Sequence, residues 1–253
     1  MTQIREVLNR RTDLSTFVVH LTRDRELMTA RQALDAIAAS RVIRAQTPMG
    51  WAKTEDDAAD PAKQTQRVVC FSETPLEHIY SLVADIEGRD IHLAPYGLAF
   101  TKLVARRMGI NPVWYVDMTP GRDWVIRNAI ERLRDAAIAT GDFHRQDFAR
   151  VTPFFEQMGT WPQRQKEFWW EREWRHVGDL HVPAQGIIWL CPEDEMEQLV
   201  DEQGARLTPV IDPRWGLEQI IAHLAGFSLD DVTPFAPHQA PPDIDWFDGA
   251  QPF

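Results

Sequence analysis

The sequence predicts an α+β domain over residues 1–228 with a helical insertion at about 120–160, followed by an extended Pro/Asp-rich tail over 229–253. Three observations predict it. Short runs of β-branched and aromatic residues such as FVVHL, RVVCF and GIIWLC recur along the chain and are too short for helices. Between them lie stretches whose apolar residues return at helical spacing. The chain of 253 residues is also long enough to bury roughly 70% of its unfolded surface, so a true core is expected.

Phe17–Leu21 reads as the first strand, and Leu27, Leu34 and Ile37 then fall on one face of a helix. Gln46 to Gln66 carries small, acidic and turn residues without period and reads as a mobile loop. RVVCF (67–71) is a second buried strand. Thr74-Pro75-Leu76-Glu77 fits a helix start, with Thr74 as cap and Glu77 three residues on, and the helix covers 75–86. YGLAF (96–100) reads as a strand, 101–108 as a helix closed by Gly109, and PVWYVDM (112–118) as another strand. The insertion holds a long helix at about 122–139, with Ile126, Ile130, Leu133 and Ala137 on one face. A second helical stretch near 143–158 carries Phe143, Phe148, Phe154, Phe155 and Met158. Strands return at 168–177, GIIWLC (186–191) and LTPVI (207–211), with helices from Pro192 to about Gln203 and from Pro213 to Ala225, the last ending at Gly226. Residues 229–253 read as a tail that is disordered or docks by its aromatic residues.

Composition excludes several classes of function. A net charge of −11 argues against a broadly basic nucleic-acid-binding face, leaving RVIRA (41–45), ARRMG (105–109) and PQRQK (162–166) as local patches. No apolar run approaches the roughly 20 residues of a membrane helix, and the first residues lack the apolar core of a secretion signal, so the expectation is a cytoplasmic protein. Cys70 and Cys191 are too few for a disulfide framework and lie in apolar runs, as core thiols do. Phosphate-loop, dinucleotide-fold and zinc-ribbon signatures are missing from the sequence.

The stretch FWWEREWRHVG (168–178) holds most of the chemistry-bearing residues. Alternation along a strand puts Trp169, Glu171, Glu173 and Arg175 on one side, and Phe168, Trp170, Arg172, Trp174 and His176 on the other. Glu171 and Glu173 then stand about 7 Å apart on one face. They either make two separate ligand contacts in a groove walled by the aromatics, or pair with arginines on a charged sheet face. His176 faces away from both, which argues against a metal site built from Glu171, Glu173, His176 and His181.

HLTRD (20–24) with a following helix and RVIRA, VCFSETPLEHI (69–79), YGLAFTK (96–102), GINPVWYV (109–116) and EREWRHVG (171–178) occur in the order found in the AbiGi-type abortive-infection family, which the chain resembles over roughly 17–190. That layout in turn resembles the ADP-ribosyltransferase architecture of DarT-like toxins. The resemblance implies split sheets and NAD as substrate, with a nucleic-acid or protein acceptor. It assigns Glu173 to the ribose of NAD, where a carboxylate stabilises oxocarbenium character, and Glu171 to the acceptor. It implies cofactor contacts from His20 and Thr22, ring stacking by Tyr96 or Phe71, and polar contacts from Ser72 and Thr74, although the last two also suit a helix cap. A second expectation is a non-catalytic abortive-infection or antitoxin partner, acting on a cognate protein through the acidic surface, the aromatic-rich 143–174 region and the DIDWF tail. A third is a metal-dependent nuclease.

Overall fold

The computed structural model describes residues 14–85, 91–121, 124–162, 164–227 and 229. The segment 86–90 at the end of the expected 75–86 helix, and the tail beyond Leu229, therefore lie outside the described residues. Strands β1 (Phe17–Leu21), β2 (Val42–Ile43), β3 (Thr47–Pro48), β4 (Arg67–Ser72), β5 (Gly97–Thr101), β6 (Asn111–Pro112), β7 (Trp114–Asp117), β8 (Phe155–Trp161), β9 (Arg164–Lys166), β10 (Glu173–Val177), β11 (Leu180–His181), β12 (Ile187–Leu190) and β13 (Val210–Ile211) build three sheets. The main one runs β13-β12-β5-β1-β4-β10-β6, with β3 added beside β4; β7-β8-β9 form a small second sheet, and β11 pairs with β2. Helices α1 (Ala30–Ser40), α2 (Tyr80–Val83), α3 (Lys102–Arg107), α4 (Val125–Ala139), α5 (Asp147–Val151) and α6 (Leu217–Ala225) complete a mixed α+β architecture. None of the described helices is long and apolar enough to cross a membrane.

The apolar runs become the central strands because both faces of β1, β4, β5 and β12 are covered. Val18, Phe71, Leu98, Phe100 and Trp189 are buried together with Leu34 of α1 and Ile220 of α6. Two smaller cores join the expected insertion to residues before it, one of Trp51, Val116, Met118 and Ile130, and another of Ala52, Ala137, Phe143 and Ala149. Of the apolar face expected for α4, Ile130 and Ala137 are buried while Ile126 and Leu133 are about half exposed.

Capping chemistry moves several boundaries. Helix α1 starts at Ala30 because Thr29 and Gln32 form a reciprocal capping box, which leaves Leu27 outside the helix and almost fully exposed. Thr74 caps no helix: Leu76–His78 is a 3₁₀ turn that follows extended Pro75 without a side-chain cap, and the α-helix is only Tyr80–Val83. Glu193–Gln198 is likewise a 3₁₀ turn rather than a helix to Gln203, its first N–H held by Asp212 at 2.9 Å. Asp212 also accepts from the Arg214 N–H, and this turn delays α6 until Leu217.

Tertiary contacts move the others. The expected mobile loop at 46–66 is folded against the insertion, with Trp51, Ala52 and Gln66 buried and Asp60 capping a 3₁₀ turn at Pro61–Lys63. The Gln66 amide donates to the Ala149 carbonyl and accepts from the Thr152 hydroxyl. PVWYVDM divides at Val113, whose N–H donates to the Glu173 carbonyl, so β6 joins the main sheet and β7 the small one. The expected second helix near 143–158 ends early because Pro153 has no N–H to continue it, and Phe155–Met158 enter β8. Residues 168–177 are not one strand: Phe168–Glu171 is a 3₁₀ turn, Arg172 takes the left-handed conformation with φ 46°, and β10 begins at Glu173.

Gly97 marks the closest backbone approach in the main sheet, since a Cβ there would meet the His20 carbonyl oxygen at 2.0 Å. Gly97→Ala is expected to cost at least about 3 kcal/mol by overpacking. Gly216→Ala, where the nearest atom is a flexible glutamine oxygen at 3.9 Å, should cost less than about 1 kcal/mol. Urea unfolding of the two variants checks the contrast; equal losses would refute the close-approach argument.

Candidate functional site

Strand register decides which side chains meet. Val19 of β1 and Glu173 of β10 both lie opposite Ser72 of β4, so they share a face of the main sheet. His20, one residue on from Val19, points to the other face. The sheet therefore separates His20 from Glu173. His20 Nδ1 donates to the Cys70 carbonyl at 2.9 Å, its ring lies 5.6 Å from that of Phe71, and burial pushes its pKa down. Phe71 is buried and also meets Phe100 edge-on, while Ser72 is buried at the strand end. The Thr22 hydroxyl lies 2.8 Å from the Ala30 carbonyl and 3.2 Å from that of Tyr96.

On the Glu173 face the dominant group is Arg175, whose side chain is wholly buried. Its Nε and Nη2 each donate to Glu173 at 2.8 Å, Nη2 donates to Glu156 at 2.5 Å, and Nη1 donates to the Pro153 carbonyl at 2.5 Å. Lys166 pairs with the same Glu156. Burial pulls the Arg175 pKa down, but Glu173 first and Glu156 more weakly outweigh it and raise it above its ordinary value. Burial pushes the Glu156 carboxyl up, but Arg175 and Lys166 reverse this and hold its pKa below 4.5. Alternation correctly puts Glu173 and Arg175 on one side, and it is the arginine pairing of Glu173 that the structure contains.

Glu171, in the 3₁₀ turn, is not aligned with Glu173 on a strand. Both carboxylates still act on Tyr115, whose phenol is pushed up first by burial and then by Glu173 and more weakly Glu171. The Tyr115 hydroxyl accepts from the Glu173 N–H at 3.2 Å. Glu73 holds the turn: it pairs with Lys102 at 2.7 Å and Arg172 at 3.2 Å and accepts from the Trp174 indole at 3.1 Å. The aromatics around this turn do not wall a dry groove. Trp169 is 55% exposed, Trp170 40% and Trp114 54%.

Tyr96 belongs to a different place, an open cleft of about 560 Å³ lined also by Asp24, Arg31, Glu195 and Arg214. Its hydroxyl donates to Glu195 at 2.7 Å, and Arg31 bridges Glu195 and Asp35 at 2.6 and 2.9 Å. Burial and the Glu195 contact push the phenol well up. Among the described residues no group of three or more His, Cys, Asp or Glu side chains could hold a metal ion. Sequence reasoning missed Arg175, Glu156 and Glu195 as the centres of these networks. Only Arg175 carried a signal, its two-residue spacing from Glu173.

The motifs from VCFSETPLEHI (69–79) onward, with the Trp turn and the Arg175 cluster, fall inside a family match, whereas HLTRD (20–24) and RVIRA (41–45) lie outside it: the model described as "Putative abortive phage resistance protein AbiGi, antitoxin" matches residues 52–198. The chain belongs to the AbiGi family. No curated protein and no solved structure matches it. The AbiGi match overturns the expectation of an NAD-dependent ADP-ribosyltransferase, because the family is described as an antitoxin. The expected likeness to DarT-like enzymes accordingly finds no structural neighbour, and NAD finds no support in the match.

The buried cluster sets a pH dependence. Glu156 ionises below its ordinary value of 4.5 in the folded state, so its contribution to stability is complete above 4.5 and disappears as pH falls through the folded pKa. Glu156→Gln is expected to cost about 3 kcal/mol at neutral pH and to flatten the acid limb of the stability curve. Urea midpoints of wild type and variant between pH 3 and 7 test this; parallel acid limbs would remove Glu156 from the account.

Proposed function

We propose that this AbiGi-family chain is an antitoxin that acts by binding its cognate toxin protein through the face carrying Trp114, Trp169 and Trp170. The observation that carries the reading is that these three indoles are 40 to 55% exposed within the stretch matched to an antitoxin family. Large exposed aromatics grouped on one surface mark interaction sites, and tryptophan is enriched among the residues that dominate interface energies. Trp114 follows Val113, whose N–H binds the Glu173 carbonyl, and Trp170 lies three residues before Glu173, so all three flank one junction between the sheets.

The turn that presents Trp169 and Trp170 is fixed by the Glu73 contacts to Arg172 and Trp174, which limits the ordering cost of binding. A net charge of −11 adds long-range attraction toward a basic partner.

Co-expression with the protein encoded beside it, followed by affinity measurement, tests the reading. Wild type is expected to co-purify with that protein and suppress its toxicity, and a Trp169→Ser/Trp170→Ser double variant with unchanged circular dichroism to bind at least tenfold more weakly. Failure of wild type to bind or suppress sinks the antitoxin reading. Unchanged binding by the double variant removes this face from it.

A further inference from the structure

Just beyond β1, Arg23 and Arg25 stand two residues apart and form no ion pair among the described residues. Arg31, Arg67, Arg175 and Arg214 each hold a carboxylate within 3.1 Å. In a chain of net charge −11, acids to pair with are plentiful, so this pair stands out. Asp24, between the two in sequence, turns its Oδ1 to the Ala30 N–H at 2.7 Å instead. Burial and then the Arg23 charge pull the Arg25 pKa down, and no carboxylate offsets them. Two positive groups thus share one corner without an anion between them.

That corner is hollow. A cavity of about 410 Å³ is lined by Arg23, Asp24, Arg25 and His92, with Ile91 and Leu93 as apolar wall. Its volume falls within the roughly 300–1,000 Å³ of small-molecule sites. The backbone beneath is fixed: the Thr22 N–H donates to the Tyr96 carbonyl at 2.8 Å, the Ala94 N–H to the Thr22 carbonyl at 2.9 Å, and the Arg25 N–H to the Met28 carbonyl at 2.9 Å. A cradle built on a fixed backbone loses less freedom when a ligand enters.

We propose that this corner binds a small phosphomonoester, with its phosphate between the Arg23 and Arg25 guanidinium groups and its organic part against Ile91 and Leu93. Charge selects the class. A phosphomonoester carries about −1.5 to −2 at pH 7, which matches two guanidinium groups, and the planar guanidinium fork bonds phosphate oxygens in pairs. A carboxylate or a phosphodiester carries a single negative charge and leaves one arginine uncompensated. The site is separate from the tryptophan face. Strands β1 and β10 are both antiparallel to β4, and Val19 and Glu173 both lie opposite Ser72. From that level β1 runs on toward Arg23, whereas the turn carrying Trp169 and Trp170 enters β10 from the other end. The inference therefore does not depend on the toxin-binding reading.

Calorimetric titration of the full chain at pH 7.5 tests it, with phenyl phosphate, inorganic phosphate and dimethyl phosphate as probes. Phenyl phosphate is expected to bind one to one, at least threefold tighter than inorganic phosphate and at least tenfold tighter than dimethyl phosphate. Arg23→Gln and Arg25→Gln, each with unchanged circular dichroism, should each weaken phenyl phosphate at least about tenfold, the loss of one charge-assisted hydrogen bond. Arg106→Gln, at an exposed arginine in the last turn of α3, should leave it unchanged. No saturable binding of phenyl phosphate, equal affinity for any two of the probes, or a loss with Arg106→Gln as large as with Arg25→Gln would each overturn the proposal.

Discussion

A guanidinium with no access to water dictates much of this architecture. Burying Arg175 as a charge costs several kcal/mol unless its donors find acceptors, and these come from three places: Glu173 on its own strand, Glu156 on β8 and the Pro153 carbonyl between α5 and β8. Two of the three belong to the insertion. The small sheet and its helices therefore cannot leave the main sheet without stranding a buried charge, a penalty of several kcal/mol. The Val113 and Tyr115 hydrogen bonds to Glu173 follow the same seam and fix where β6 hands the chain over to β7.

This constraint also settles what Glu173 does in the fold. A carboxylate gripped at both oxygens by a buried arginine has its charge compensated and one acceptor site on each oxygen taken. The sheet further places His20 on the opposite face, so the histidine and the glutamate that the wider resemblance would join cannot line one cleft. What the face of β10 leaves open to solvent is the aromatic turn preceding it, and that turn lies in the region shared with the antitoxin family.

The central strands were legible because FVVHL, RVVCF and GIIWLC bury both faces, and a continuous apolar run is visible without knowing its neighbours. The family was legible too, since the order of short motifs is a property of the sequence itself. Residues 168–177 misled because alternation assumes a strand throughout. The break at Arg172 comes from a distant contact, the Glu73 N–H binding the Arg172 carbonyl, which no local pattern encodes. Phe155–Met158 misled for a related reason: aromatic spacing fits a helix, but Pro153 ends one, and pairing with Trp114–Asp117 draws the segment into a sheet. Leu217, Ile221 and Leu224 fell in an expected helix, yet sequence could not say which of its apolar residues would remain uncovered.

Among the described residues two non-glycine positions adopt left-handed conformations, Arg41 with φ 55° and Arg172 with φ 46°. Such backbone costs of order 1 kcal/mol or more and persists where its surroundings hold it. In both cases the residue's own guanidinium supplies part of the hold: Arg41 reaches the Pro183 carbonyl and stacks 5.4 Å over Trp189, and Arg172 reaches Glu73. Arg41 thereby closes α1 against β12. Arg172 does the equivalent for a turn whose indoles face outward. Because Glu73 also binds Lys102 and Trp174, the same carboxylate that relieves the strained turn ties it to α3 and β10. Trp169 and Trp170 are thus displayed from a rigid base, and surface aromatics held in that way lose little freedom when a partner covers them.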